Sequence, residues 1–295
     1  MKKFRGVFIK NEREIALLRK ANGMTAAILD ELVANVRPGV PTMLFEDIAQ
    51  AMCRDFGVRP SFQGYGGFPY ALCCSVNETV VHGFPSKERI LKEGDIVSFD
   101  MGVEYQGFHG DSARTVLVGE VSEAAKHLSR VTEECLHLGI AAARPGNDLY
   151  AISAAVQRHA EEEGLHIIRR FVGHGVGARL HEKPEIPNFV PEGAGEGVPL
   201  KAGMVLAIEP MLAVAPTRWK FLSDGWTANM KDKKFAAHWE HSVVIHADGA
   251  EILSLASECV SGCPDPPLDR FLLTDKEFGS GVLSAVRLNN KRSER

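Results

Sequence analysis

The chain has 295 residues, 45% hydrophobic and 24% charged, a mixture that fits a globular protein and excludes a disordered, fibrous or collagen-like one. Lys and Arg number 34 against 38 Asp and Glu, so a formal charge of −4 gives no basic excess to argue for nucleic acid. No apolar run reaches the roughly 18 residues that span a bilayer, and the basic opening is not followed by an apolar signal core, so we expect a cytoplasmic protein without membrane contact.

In chain order, helical periodicity covers residues 12–36 and 43–56, separated by Arg37-Pro38-Gly39. A second pair of helices is predicted over 122–143 and 149–163, separated by Arg144-Pro145-Gly146, which lies 144 − 37 = 107 residues after its counterpart. Gly57 and Gly164 follow the second helix of each pair, where a left-handed cap is expected. Leu91-Lys92-Glu93-Gly94 recurs as Leu200-Lys201-Ala202-Gly203, and a β-like run follows each, over 95–103 and 204–214. Each run carries a carboxylate six residues after its glycine, Asp100 and Glu209. Matches in one order at nearly one offset predict two α+β halves, about 1–120 and 121–256, with helices on one face of an antiparallel sheet. Residues 257–295 are Pro-rich at their start and polar and basic at their end, and we take them as an extension.

The segment 95–119 has the pattern of a hairpin. With its turn centred between Tyr105 and Gln106, Asp100 faces Asp111, their Cβ atoms roughly 4.5–5.5 Å apart. Two acids this close and partly buried repel unless a cation lies between them, and oxygen-rich clusters suit divalent metals. Glu209 and Glu240 form a second acid pair on β-like runs, although turn signals at 224–225 and 231–233 leave their register open; a three-strand meander would connect them. Three histidines accompany the acids: His82 before a turn, His174 within Gly173-His174-Gly175-Val176-Gly177, and His181. Glycines there would let backbone approach a ligand. Six cysteines (Cys53, Cys73, Cys74, Cys135, Cys259 and Cys263) lack zinc-pair spacing and are expected as reduced thiols.

Taken together, Asn77-Glu78-Thr79-Val80-Val81-His82-Gly83, Asp100-Met101-Gly102 with Gly110-Asp111, the His174 motif, Ile208-Glu209-Pro210 and Glu240-His241 closely resemble type I methionine aminopeptidases over roughly residues 1–255. The resemblance implies the "pita-bread" fold: α+β, pseudo-twofold, with a curved antiparallel sheet and helices on its outer face, here one catalytic domain over 1–256. It implies Asp100, Asp111, His174, Glu209 and Glu240 as ligands of two divalent ions (Co, Mn, Fe or Zn), with Asp111 and Glu240 bridging. A water activated by the ions would attack the scissile carbonyl; Glu209 would carry the proton, His181 would meet the carbonyl oxygen and His82 the peptide nitrogen. Tyr65, Phe68, Cys73 and Trp226 match the methionine pocket, and Leu180 stands where the family commonly has an aromatic residue. The implied activity is removal of initiator methionine from nascent chains with a small second residue, by a monomer with a transient ribosome contact and no specific nucleic-acid partner. An Xaa-Pro aminopeptidase on the same fold is the nearest alternative, but such enzymes carry a large additional amino-terminal domain. Type II enzymes carry a long insertion where this chain has 209 − 174 = 35 residues. A non-catalytic nucleic-acid or ribosome-binding relative would lack ligands that are all present here. A metal-storage module would not need His82, His181 and an apolar pocket.

Overall fold

Side chains at the predicted starts initiate the helices. In the computed structural model, which describes residues 2–216 and 218–255, helix α1 (Glu12–Ala34) begins behind Asn11. The Asn11 side chain accepts from the Glu14 N–H at 3.0 Å, and Glu14 Oε2 accepts from the Asn11 N–H at 2.9 Å. This reciprocal box satisfies two donors at the helix start. Helix α2 (Met43–Phe56) stops at Gly57. Ser122 caps α3 (Glu123–Ala142), and Asp148 caps α4 (Leu149–Glu162). All four predicted helices are present. The repeat persists in backbone detail: Gly39 and Gly146 have φ of 89° and 94°, Gly57 and Gly164 66° and 70°, Gly94 and Gly203 88° and 87°.

The helices pack against a nine-stranded antiparallel sheet. At its centre the strand Ile96–Tyr105 pairs with Phe108–Leu117. Beyond Phe108–Leu117 come Glu240–Ile245, Val205–Ile208, Gly173–Gly175 and Glu182–Ile186 in turn. Leu72–Val76 and Arg59–Pro60 flank Ile96–Tyr105 on its other side. Val97, Phe99, Met101 and Val103 pack on α1 and α2, with Phe45 and Phe99 rings 4.5 Å apart and fully buried. Leu206, Ile208, Val243 and Ile245 pack on α3 and α4 in the same manner. Each such side chain contributes about 1.5–3 kcal/mol on burial. Strand alternation then turns Asp100, Ala207, Glu240 and Ser242 to the face away from these helices. This is the pita-bread arrangement of paired halves that the resemblance implied.

Three expectations need correction. The central hairpin turns at Gln106 and Gly107, with φ of 50° and 80°, and pairs Tyr105 with Phe108. A two-residue turn with positive φ at both central positions matches the strand twist, and glycine takes the second at little cost. Asp100 therefore faces Ala113, and Asp111 faces Gly102; the two acids are diagonal neighbours rather than directly opposite. The run over 204–214 is broken at Glu209-Pro210 into Val205–Ile208 and Met211–Ala213, because proline has no N–H for the ladder. Finally, no simple meander links Glu209 to Glu240. Trp219–Phe221 and Ala228–Met230 form a hairpin against Thr79–Val81, whereas Ala236–His238 pairs with Met211–Ala213.

Cys53, Cys73, Cys74 and Cys135 are free and buried, as expected. The extension 257–295, with Cys259 and Cys263, lies outside the described residues. Among the described residues no helix is long and apolar enough to cross a membrane.

Candidate metal centre

The sheet register assembles the predicted ligands in two adjacent rows. Asp100 pairs with Ala113, and Ala113 with Glu240. Ile208 pairs with His241, so the same register carried one residue further sets Glu209 opposite Glu240, where the ladder ends. In the next row, Asp111 faces Gly102, and Ala207 lies between Ser242 and His174. The two rows are separated by two residues along each strand, so all five side chains share one face. Four strands and a strand end, drawn from both halves of the repeat, thus converge on one cavity of about 700 Å³.

His174 Nε2 lies 3.5 Å from Glu209 Oε1 and 3.7 Å from Asp111 Oδ2. Donor atoms of Asp111, His174 and Glu240 all fall within 4.8 Å of one another. His174 Nδ1 is 3.0 Å from the Gly175 carbonyl oxygen. A carbonyl only accepts, so Nδ1 carries the proton and the Nε2 lone pair faces the carboxylates, which is the tautomer a metal needs. Hydrogen bonds fix the backbone beneath the ligands. Ser112 Oγ donates to the Glu240 carbonyl at 2.7 Å, Ser242 Oγ to the Asp111 carbonyl at 2.8 Å, and Asn188 Nδ2 to the Glu209 carbonyl at 2.9 Å.

Three oxygens of the candidate ligands lack such partners. Asp100 Oδ1, Asp111 Oδ1 and Glu240 Oε1 are buried and have no hydrogen-bond partner among the described residues. Burial pushes the Asp100 carboxyl up to about 7, with His238 opposing the rise. Burial also holds Asp111, Glu209 and Glu240 well above the usual carboxylate range, reinforced for Asp111 and Glu240 by the neighbouring acids. Burial lowers His174 to about 3, keeping it neutral. Unpaired buried acids and a neutral imidazole are a costly arrangement for the protein alone and a suitable one for hard or borderline divalent cations.

The remaining predicted residues surround this cluster. His181 stacks edgewise on His174 with ring centroids 4.3 Å apart, and its Nδ1 is 2.8 Å from the Tyr65 hydroxyl. Tyr65 is 47% exposed and stands at the mouth of the cavity rather than deep in it. His82 sits 6.0 Å from the Trp226 ring, and burial lowers it to about 4, aided by His238 and His181. Phe68 and Cys73 are buried, and Phe68 meets Trp226 at 5.2 Å. Leu180, 3% exposed, closes the same apolar wall together with Phe62.

The glycines around His174 serve a different purpose from the one expected. A Cβ on Gly173 would strike the Ala207 carbonyl, and one on Gly175 the Lys183 carbonyl. They permit close packing of strands, which carries His174 to the cavity. Phe62 and His238 are among the lining residues that sequence reasoning missed. His238 stands two residues before Glu240, and strand alternation was the available signal.

Residues 16–247 match the model of metallopeptidase family M24. A methionine aminopeptidase of Clostridium perfringens is 48% identical over 249 residues, covering 84% of this chain and 99% of that protein. Methionine aminopeptidase 1 of Bacillus subtilis is 44% identical over 248 residues, again 84% of this chain and 99% of the relative. The crystal structure of methionine aminopeptidase from Thermotoga maritima superposes with a TM-score of 0.82 at 45% identity, over 84% of this chain and 99% of that one.

Proposed function

The chain belongs to metallopeptidase family M24, and from that premise we propose that it is an exopeptidase that removes amino-terminal methionine. One observation carries this: five candidate ligands, three of them (Asp100, Asp111 and Glu240) with a buried oxygen that has no hydrogen-bond partner among the described residues, share a cavity with an apolar wall of Phe62, Phe68, Cys73, Leu180 and Trp226. Asp100, Asp111, His174, Glu209 and Glu240 would hold two divalent ions, of Mn, Fe, Co or Zn. When bound, such ions lower the pKa of a water molecule toward neutrality and supply a nucleophile near pH 7.

The protein's own groups account for the rest. Glu209, whose carboxylate reaches into the cavity between His174 and His238, is suited to take a proton from the attacking water and pass it to the leaving amine. The Tyr65 hydroxyl can donate to His181 Nδ1, which leaves the His181 Nε2–H to donate to the scissile carbonyl oxygen as negative charge develops there. His82 is neutral at pH 7 and can hydrogen-bond the scissile peptide nitrogen without adding charge. The apolar wall accepts an unbranched thioether side chain. Nascent chains with a small second residue are the substrates we assign, acted on in the cytoplasm by a monomeric domain over 1–256. A transient contact with the ribosome accords with that substrate.

The test is methionine release from Met-Ala-Ser with added Mn²⁺ or Co²⁺, before and after EDTA. We expect turnover that chelation abolishes and metal restores. Turnover that persists under full chelation, or none with any divalent ion, defeats the proposal.

A further inference from the structure

The Glu209 carboxylate lies between two imidazoles. Its Oε1 is 3.5 Å from His174 Nε2, and its Oε2 is 3.5 Å from His238 Nε2. His174 already has a place among the candidate ligands, whereas His238 has none. His238 is 2% exposed, ends the strand Ala236–His238 and lines the same cavity. Its Nε2 is buried and has no hydrogen-bond partner among the described residues.

The backbone of His238 is tightly held. Its N–H donates to Thr115 Oγ1 at 3.1 Å, and its carbonyl accepts from Thr115 Oγ1 at 2.8 Å. Thr115 is itself buried on the central hairpin. The ring is therefore delivered into the cavity from a fixed point. A buried imidazole nitrogen left unbonded is costly, and a carboxylate oxygen facing it at 3.5 Å needs only a small rotation to reach hydrogen-bond distance. The terminal torsion of a glutamate is soft, so a carboxylate without a partner on one oxygen samples many planes.

We propose that His238 is a positioning residue: its Nε2–H donates to Glu209 Oε2 and holds the carboxylate plane with Oε1 turned toward His174 and the metal side. This deepens the metallopeptidase function proposed above and rests on it. Partners that orient a metal ligand in this way commonly change metal affinity 10–100-fold when removed.

The experiment compares His238→Leu and His238→Gln with the unaltered protein. Mn²⁺ affinity is read by isothermal titration calorimetry of metal-free protein, and near-UV circular dichroism reports the fold. His238→Leu should bind Mn²⁺ about 10–100-fold more weakly. His238→Gln keeps an N–H donor of similar reach and should stay within about threefold of the unaltered protein. A folded Leu variant with unaltered affinity overturns the proposal. A folded Gln variant weakened about tenfold or more also overturns it, whatever the Leu variant does, because a replacement donor would then not suffice. Unaltered protein that binds no Mn²⁺ defeats the metal centre itself, an outcome distinct from both.

Discussion

Lys10 Nζ donates to Glu182 Oε2 at 2.7 Å, and the two side chains are sealed from solvent, 0% and 1% exposed. The pair joins the amino-terminal segment to the loop that carries His181. The other oxygen of Glu182 accepts from the Arg179 N–H at 3.3 Å, so one carboxylate ties that loop at two points. Burial lowers the Lys10 pKa despite the attraction of Glu182, which marks the pair as expensive to desolvate.

The first prediction follows from that cost. Removing one partner strands a buried charge, whereas removing both does not. Lys10→Met should lower stability by about 3–5 kcal/mol, and Lys10→Met combined with Glu182→Met should recover most of the loss. Urea unfolding measures both. Equal destabilisation of the single and double variants would assign the effect to packing instead.

The buried acids predict a pH dependence for metal-free protein. Their folded pKa values lie above the unfolded ones, so the folded state binds more protons and loses stability as pH rises through the folded values. Asp100, at about 7, sets the window, with Asp111, Glu209 and Glu240 acting in the same direction. His174 and His82, lowered to about 3 and about 4, act oppositely, but below pH 6.5. EDTA-treated protein should therefore melt several degrees lower at pH 8.5 than at pH 6.5, at roughly 2–4 °C per kcal/mol. Saturating Mn²⁺ should reduce or reverse the difference. A flat or rising Tm without metal would mean that burial does not raise these carboxyls in the folded state.

His181 is predicted to act on the transition state more than on ground-state binding. His181→Ala should lower kcat on Met-Ala-Ser by about 10²–10³-fold with KM little changed. Tyr65→Phe keeps the ring but loses the hydroxyl 2.8 Å from His181 Nδ1, so its kcat should fall less. A rise in KM alone for His181→Ala would make His181 a substrate-binding group only.

How much of this site could be read from sequence depended on how local each signal was. Helix ends were legible because capping residues and glycines act within a turn, as at Asn11 and Gly57. Asp100 and Asp111 were legible as a pair although the turn was centred one residue early, because the resulting shift of two residues preserves strand face. The facing of Glu209 and Glu240 was not legible. Among the described residues four short strands intervene; Ala228–Met230 pairs with Thr79–Val81 as well as with Trp219–Phe221, and Ala236–His238 returns to Met211–Ala213. His238 was missed for a similar reason, since its approach to Glu209 depends on where Ala236–His238 docks.

The glycines beside His174 supply the last prediction, which separates close packing from backbone strain. A Cβ on Gly175 would collide with the Lys183 carbonyl and lie 2.9 Å from the Lys183 carbonyl carbon, and neither can retreat like a flexible side-chain tip. The colliding strand Glu182–Ile186 also follows His181 directly. Gly175→Ala should cost about 1–3 kcal/mol by overpacking and should weaken Mn²⁺ binding, because the strand that must shift carries His174. Gly146→Ala provides the contrast. Gly146 has φ of 94° and, among the described residues, nothing within 4 Å of an added Cβ, so alanine there meets backbone strain but no collision with them. That variant should lose stability on the order of 1 kcal/mol and keep its Mn²⁺ affinity. Calorimetric titration of both variants decides the matter: equal metal affinity in the two would mean that the packing of Gly175 is not what places His174.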